Sequence, residues 1–176
     1  MFNPKKSINA LLYILQQENG SCDTHKLCKI LFFADQKHMS EYGRSITGDT
    51  YIAMQFGPVP SKTYDLLKAV RGDSFFSGDA YKDKFEFTNK INLKAIAAPD
   101  MDELSGSDVE CLDIAIGRCK GKSFQEVTDM SHGYAWANTQ RDREISVKDI
   151  LREVGDTEEY VEYIADNMAQ QESFPF

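Results

Sequence analysis

The segment Gly57-Pro58-Val59-Pro60 constrains this chain more than any other stretch of its sequence. Two prolines in four residues remove two backbone donors and fix two φ angles, so the segment is neither regular helix nor central strand. Tyr51-Ile52-Ala53-Met54 before it alternates and reads as a short strand, and Tyr64, Leu66, Leu67 and Val70 after it recur at helical spacing. A helix starting at Pro60 or Ser61 and stopped by Gly72 comes next. The chain therefore turns a rigid strand-to-helix corner here, with Gly57 supplying a permissive backbone. The corner leaves open whether Met54 and Phe56 are core or exposed.

The rest reads mainly as helices. Asn3-Pro4 is a cap followed by proline at the first helical position, and Ile8, Leu11, Leu12 and Leu15 form the stripe behind it. Asn19-Gly20 ends that helix, and Ser21 or Asp23 caps the next. In this second helix Leu27, Ile30, Leu31, Ala34 and His38 line up, and Phe32 and Phe33 widen the stripe. The spacing predicts a helix buried on much of its circumference, with Leu31 in the core. Asp73 to Lys84 reads as a loop, and Phe85 to Leu93 as a hairpin turning at Asn89-Lys90. Ser105 or Ser107 caps a helix carrying Val109, Leu112, Ile116 and Cys119, and Ser123 with Glu126 is a capping-box pattern. A short helix is expected at Ser146 to Val154, and a last helix capped by Asp156 or Thr157, with Val161, Ile164 and Met168 lined up. The expected fold is α+β and mainly α-helical. It has five to seven helices and one small antiparallel sheet that uses both Tyr51–Met54 and Phe85–Leu93.

Composition excludes several classes. The 176 residues carry a net charge of −8, which opposes a general nucleic-acid binder. No apolar run is long enough to span a membrane, and the N-terminus lacks the apolar region of a signal peptide, so a cytoplasmic protein is expected. Cys22, Cys28, Cys111 and Cys119 have no zinc-ligand spacing. They are expected to be reduced and inert, with no metal and no cofactor. No phosphate-loop, dinucleotide, metalloprotease or hydrolase motif is present. His25, His38 and His132 are scattered, although a triad with Cys28 or Asp35 can be drawn on paper. His132 and Trp136, four residues apart, are expected to stack, with Trp136 largely buried. No catalytic residue is assigned, and binding is the expected activity. The alternative from another class is an enzyme with an unrecognised active site near His132.

Several pieces taken together resemble the SocA-like antitoxin family, also called the Panacea domain. His25-Lys26-Leu27-Cys28-Lys29-Ile30-Leu31-Phe32-Phe33-Ala34 is similar to the family's "KLxKLLYFA" helix. Tyr42-Gly43 and Ile46-Thr47 resemble the turn after it. Ala53 with Phe56-Gly57-Pro58-Val59-Pro60 resembles the "A…YGPV" signature, and Tyr64 the aromatic on the next helix. Ser131-His132 and Trp136 resemble the closing "TH…W". The likeness runs from Ile8 to Ala137, and its signature positions are Lys26, Leu27, Leu31, Gly57, Pro58, Val59, His132 and Trp136. It implies an antitoxin, phage- or mobile-element-associated, that neutralises a cognate toxin by direct binding. A second implied route is an adaptor that delivers its partner to an AAA+ protease. Some members add a helix-turn-helix domain, for which this chain has no room outside the matched region, so direct DNA binding is not expected.

Residues 1–140 are read as this domain and 141–176 as an acidic helical extension packed on it. From Val154 to Phe176 there are six acids and no Lys or Arg. Two surfaces are candidates for the partner. One is the corner presenting Met54 or Phe56. The other is the last helix, where Tyr160 and Tyr163 sit among Glu158, Glu159 and Glu162. The extension is the favoured one for partner specificity, because the corner belongs to the shared signature.

Overall fold

A computed structural model describes residues 1–73 and 81–173. Its first helix, α1 (Pro4–Gln17), starts where Asn3 accepts the Lys6 amide at 3.1 Å. It ends as Asn19 and Gly20 both take left-handed conformations, with φ of 60° and 91°. A short strand β1 (Ser21–Asp23) leads into α2 (Thr24–Tyr42), capped by the Asp23 carboxylate and closed by left-handed Gly43. Leu27, Ile30, Leu31, Phe32 and Ala34 are fully buried, so the widened stripe does place α2 at the centre of the molecule. It packs against α1, the hairpin and later helices.

Buried Asp35 organises the chain just after α2. It accepts the Ile46 amide at 2.6 Å, the Thr47 amide and hydroxyl at 3.2 and 2.7 Å, and the Tyr51 hydroxyl at 2.7 Å. Burial pushes its carboxyl upward, and these four hydrogen bonds oppose that shift. The turn beyond the helix and the start of β2 (Tyr51–Met54) are thereby fixed to one point of the central helix. Asp49 performs a second tether. It accepts the amides of Lys62 at 3.0 Å and Thr63 at 2.8 Å, capping α3 (Ser61–Arg71) in place of Pro60, which has no capping side chain.

The proline-rich segment is a strand, β3 (Gly57–Pro60), antiparallel to β2 with Ile52 opposite Val59 and Ala53 opposite Pro58. It tolerates two prolines because they face non-hydrogen-bonding positions. The backbone groups of Ala53 point away from Pro58, to Arg143 and Asp142, at 2.9 and 2.8 Å. The second hairpin, β4 (Phe85–Phe87) and β5 (Asn92–Ala95), forms a separate sheet in the order β1-β5-β4. The expectation of one sheet uniting Tyr51–Met54 with Phe85–Leu93 is therefore corrected. The free edge of β2 is bonded by Asp142 to Ile145, and that of β5 by β1. Alternation identifies a strand but carries no information on its partner.

After a single 3-10 turn at Met101–Glu103 come α4 (Gly106–Cys119) and α5 (Phe124–Ser131), both opened by complete capping boxes. In α4 the box is Ser105 with Asp108. The Asp108 carboxylate also receives Lys6, Arg44 and His38. Burial opposes its charge, but hydrogen bonds from His38, Lys6 and Ser105 hold it well below the usual carboxylate range. The remaining helices are α6 (Tyr134–Ala137), α7 (Val147–Glu153) and α8 (Glu158–Ser173). That makes eight helices among the described residues, mainly helical with small antiparallel sheets. The one beyond the expected range is α6, a single turn too short to show periodicity. Most of the expected loop from Asp73 to Lys84 lies outside the described residues. Segments after residue 140 are bonded into the signature region. Besides the bonds to β2, Glu153 of α7 accepts the Ala135 amide at 2.7 Å and fixes α6.

Candidate partner-binding site

The turn between β2 and β3 consists of Gln55 and Phe56, and three carbonyls around it receive donors from side chains. Trp136 Nε1 of α6 donates to the Met54 carbonyl at 2.8 Å. His25 Nε2 of α2 lies 3.3 Å from the Phe56 carbonyl, and Lys29 Nζ donates to that of Pro58 at 2.8 Å. His25 Nε2 is also 3.1 Å from the Thr128 hydroxyl, whose own proton goes to the Phe124 carbonyl at 2.8 Å. The imidazole therefore donates from Nε2 to both acceptors and is not a base for that hydroxyl. Gly57 completes the arrangement. Its φ is +99°, and a Cβ there would collide with Ser131 Oγ and lie 2.9 Å from Lys29 Cε. Only glycine fits both the backbone and the space.

The backbone is clamped while its side chains stand out. Met54 is 37% exposed, Phe56 49% and Phe124, at the start of α5, 51%. Phe56 and Phe124 meet edge to face with centroids 5.4 Å apart, and His25 lies against Phe124 at 4.0 Å. Arg141 borders the patch, donating to the Gln55 side chain at 3.0 Å. Exposed aromatic side chains in contact, bordered by a polar group, are the kind of feature that marks binding surfaces.

His132 and Trp136 stack as expected, with centroids 3.7 Å apart and planes at 10°. The stack spans a helix break, because His132 is the C-cap of α5 and Trp136 sits on α6. Trp136 is partly buried and packed against the core. Its N–H must reach the Met54 carbonyl at the rim of the hairpin, which keeps the ring near the surface. His132 Nε2 is buried without a hydrogen-bond partner among the described residues. Burial first, and Lys29 second, lower the pKa of both His25 and His132.

A cleft of about 290 Å³ runs between the first turns of α2 and the hairpin, with Lys29, Val59, Phe56 and Arg141 among its walls. Lys29 is 1% exposed, and burial pushes its ammonium down to about 8. Its acceptor is the Pro58 carbonyl, and among the described residues no carboxylate makes an ion pair with it. The neighbouring signature lysine is different. Lys26 pairs with Glu18 at 2.6 Å across the turn from α1 and ties the two helices together. Leu27 and Leu31 are core.

The residues expected on the C-terminal helix divide. Tyr160 donates its hydroxyl to the Ser40 carbonyl at 2.8 Å and is packed against α2. Glu158 takes a two-pronged bond from Arg152 at 2.6 and 2.9 Å, and Glu162 pairs with Lys148. Glu159 is exposed, and Tyr163 is 63% exposed.

No triad forms from the sequence candidates: Asp35 bonds Ile46, Thr47 and Tyr51 and no histidine. The Cys28 thiol is buried and pushed up to about 11. Four residues of the site were absent from the sequence candidates for partner binding: His25, Lys29, Phe124 and Arg141. The first two had a legible signal, since positions four apart share a helix face. Phe124 and Arg141 had none, because their place depends on how α5 and the 140s fold back.

The family model for the antitoxin SocA-like Panacea domain matches residues 27–137. No curated protein and no solved structure matches the chain. The matched span contains Lys29, the hairpin, Phe124, His132 and Trp136, and ends before α7 and α8. The chain belongs to the SocA-like antitoxin family, through a Panacea domain that covers most of its length.

Proposed function

We propose that this protein is the antitoxin of a toxin–antitoxin pair, phage- or mobile-element-associated and cytoplasmic, and that it neutralises its toxin by direct contact and not by catalysis. The family supports an antitoxin role, and the geometry of the hairpin tip supports the mode of action. The observation that carries the reading is the display of Met54 and Phe56 on a hairpin backbone held by Trp136, His25 and Lys29, with exposed Phe124 of α5 against Phe56. A few apolar and aromatic anchors supply most of the binding energy of an interface, and a preordered backbone spares the entropy of ordering them. The C-terminal helix contributes a weaker surface, since Glu158 and Glu162 are already neutralised by Arg152 and Lys148.

The test is to express the neighbouring gene alone and together with this chain. Growth arrest by the neighbour alone, with rescue and co-purification of an intact complex when both are made, is the expected result. Delivery to an AAA+ protease would instead show as disappearance of the toxin in cells that contain the protease and its persistence in cells that lack it. A neighbour with no effect on growth and no affinity for this chain would contradict the reading.

A further inference from the structure

Lys29 poses a problem that the fold does not solve. An ammonium taken out of water needs an opposite charge or several acceptors, and this one has the Pro58 carbonyl at 2.8 Å. Its side chain forms part of the wall of the cleft beneath the hairpin tip, beside the half-buried Val59 and the exposed Phe56. The rest of the molecule is rich in acid, with 28 Asp and Glu against 20 Lys and Arg, yet none of that acid pairs with Lys29 among the described residues. At the mouth, the Arg141 guanidinium adds a second cation, with Asp142 beside it at 3.9 Å. A cleft of about 290 Å³ is large enough for an acidic side chain.

We infer that this cleft receives a carboxylate on an apolar stem, an acidic side chain or chain end of the bound protein partner, which passes Phe56 and meets the Lys29 ammonium. This rests on the reading of the hairpin tip as the partner surface, and it adds the chemistry of the group the partner must offer. Mostly apolar walls with one buried cation, the exposed Asp142 being the one carboxylate in the lining, select for charge and shape together. An amide of the same shape fills the walls but leaves the cation uncompensated. A phosphate carries the charge but lacks the stem.

The experiment uses the isotopically labelled full chain and follows backbone amide signals while adding phenylacetate, phenylacetamide or inorganic phosphate at neutral pH. Phenylacetate is expected to shift His25, Gln55, Phe56 and Gly57 saturably. Phenylacetamide and phosphate are expected to bind at least about ten-fold more weakly, a difference of roughly 1.4 kcal/mol. Lys29→Met, checked for folding by circular dichroism, should remove the preference for the acid over the amide. Should that variant not fold, Arg141→Gln, at an exposed position, should weaken phenylacetate and leave phenylacetamide unchanged. Native mass spectrometry should give the mass of the bare chain. Equal binding of acid and amide, absence of shifts at the tip, or tighter binding of phosphate would overturn the inference. A small acid retained on the purified chain would overturn its assignment to a protein-borne group. None of these readouts needs the toxin, so a failed cleft and a failed antitoxin assignment are told apart.

Discussion

The hairpin tip and the C-terminal helix both carry exposed aromatic side chains, but they dispose of their polar groups in opposite ways. At the tip, side-chain donors go to backbone carbonyls, so the turn is rigid and Met54 and Phe56 are left facing outward. On α8, the acids go to the protein's own cations and Tyr160 goes to the Ser40 carbonyl, so the helix is docked and its charge partly cancelled. Arg152 holds Glu158 below its ordinary carboxylate value, which shows the acid already spoken for. A local excess of acid in a sequence therefore says little about a free anionic surface until its partners are known. The side that looked merely structural is the better-built display.

Both regions rest on α2, so the largest effect should come from that helix. Leu31→Ala removes a fully buried side chain and is expected to destabilise the protein by about 2–5 kcal/mol, read as the denaturant midpoint at unchanged slope. It should disturb tip and C-terminal helix alike, and an unchanged midpoint would break the account of α2 as their common support.

Lys29 should act on the tip alone. Its pKa of about 8 lies below the ordinary lysine value of 10.5, so between those limits the unfolded chain holds more protons than the native one. Stability from this residue therefore rises with pH across that window, by at most about 3 kcal/mol. The buried thiols titrate nearby with the opposite sign, Cys22 being raised to about 12. The measurement is accordingly the difference in stability between the parent chain and Lys29→Met from pH 7 to pH 10. Parallel curves would show that the ammonium is not desolvated as described.

Gly57→Ala places a side chain at φ +99° and against Ser131. Backbone strain alone predicts a loss of about 1–3 kcal/mol, together with changed amide signals at Gln55 and Phe56 and little change on α8. At the other extreme, Arg152→Ala frees Glu158 but should leave the thermal midpoint almost unchanged, because an exposed ion pair contributes little. A large drop would mean that α8 depends on its surface charges more than on buried Val161 and Ile164.

Much of the fold was legible in the residues. Asn3, Asp23, Ser105 and Ser123 cap the helices their spacing suggested, and the stripe through Leu27 and Leu31 is the core. The His132–Trp136 stack was also expected, although it forms across the break between α5 and α6 and not on one helix face. What local rules do not contain is long-range pairing. Nothing near Tyr51 says that its strand is flanked by Glu144 and not by Phe87, and nothing near Ser61 says that Asp49 caps its helix. The site was legible in part for the same reason. Met54 and Phe56 stood out beside a rigid turn, whereas the clamp on that turn draws on residues from α2 and α6 that meet it only in three dimensions.

The central claim is that the tip, not the C-terminal helix, holds the partner, and a paired comparison tests it most directly. Phe56→Asp and the double variant Glu159→Lys with Tyr163→Ala each alter exposed side chains and should fold normally by circular dichroism. Each is then tested for rescue of cells expressing the toxin and for affinity in a purified pair. The account predicts that Phe56→Asp loses rescue and weakens binding by at least about 2 kcal/mol, as an anchor residue should, while the helix variant rescues fully. Full rescue by Phe56→Asp together with failure of the helix variant would contradict it.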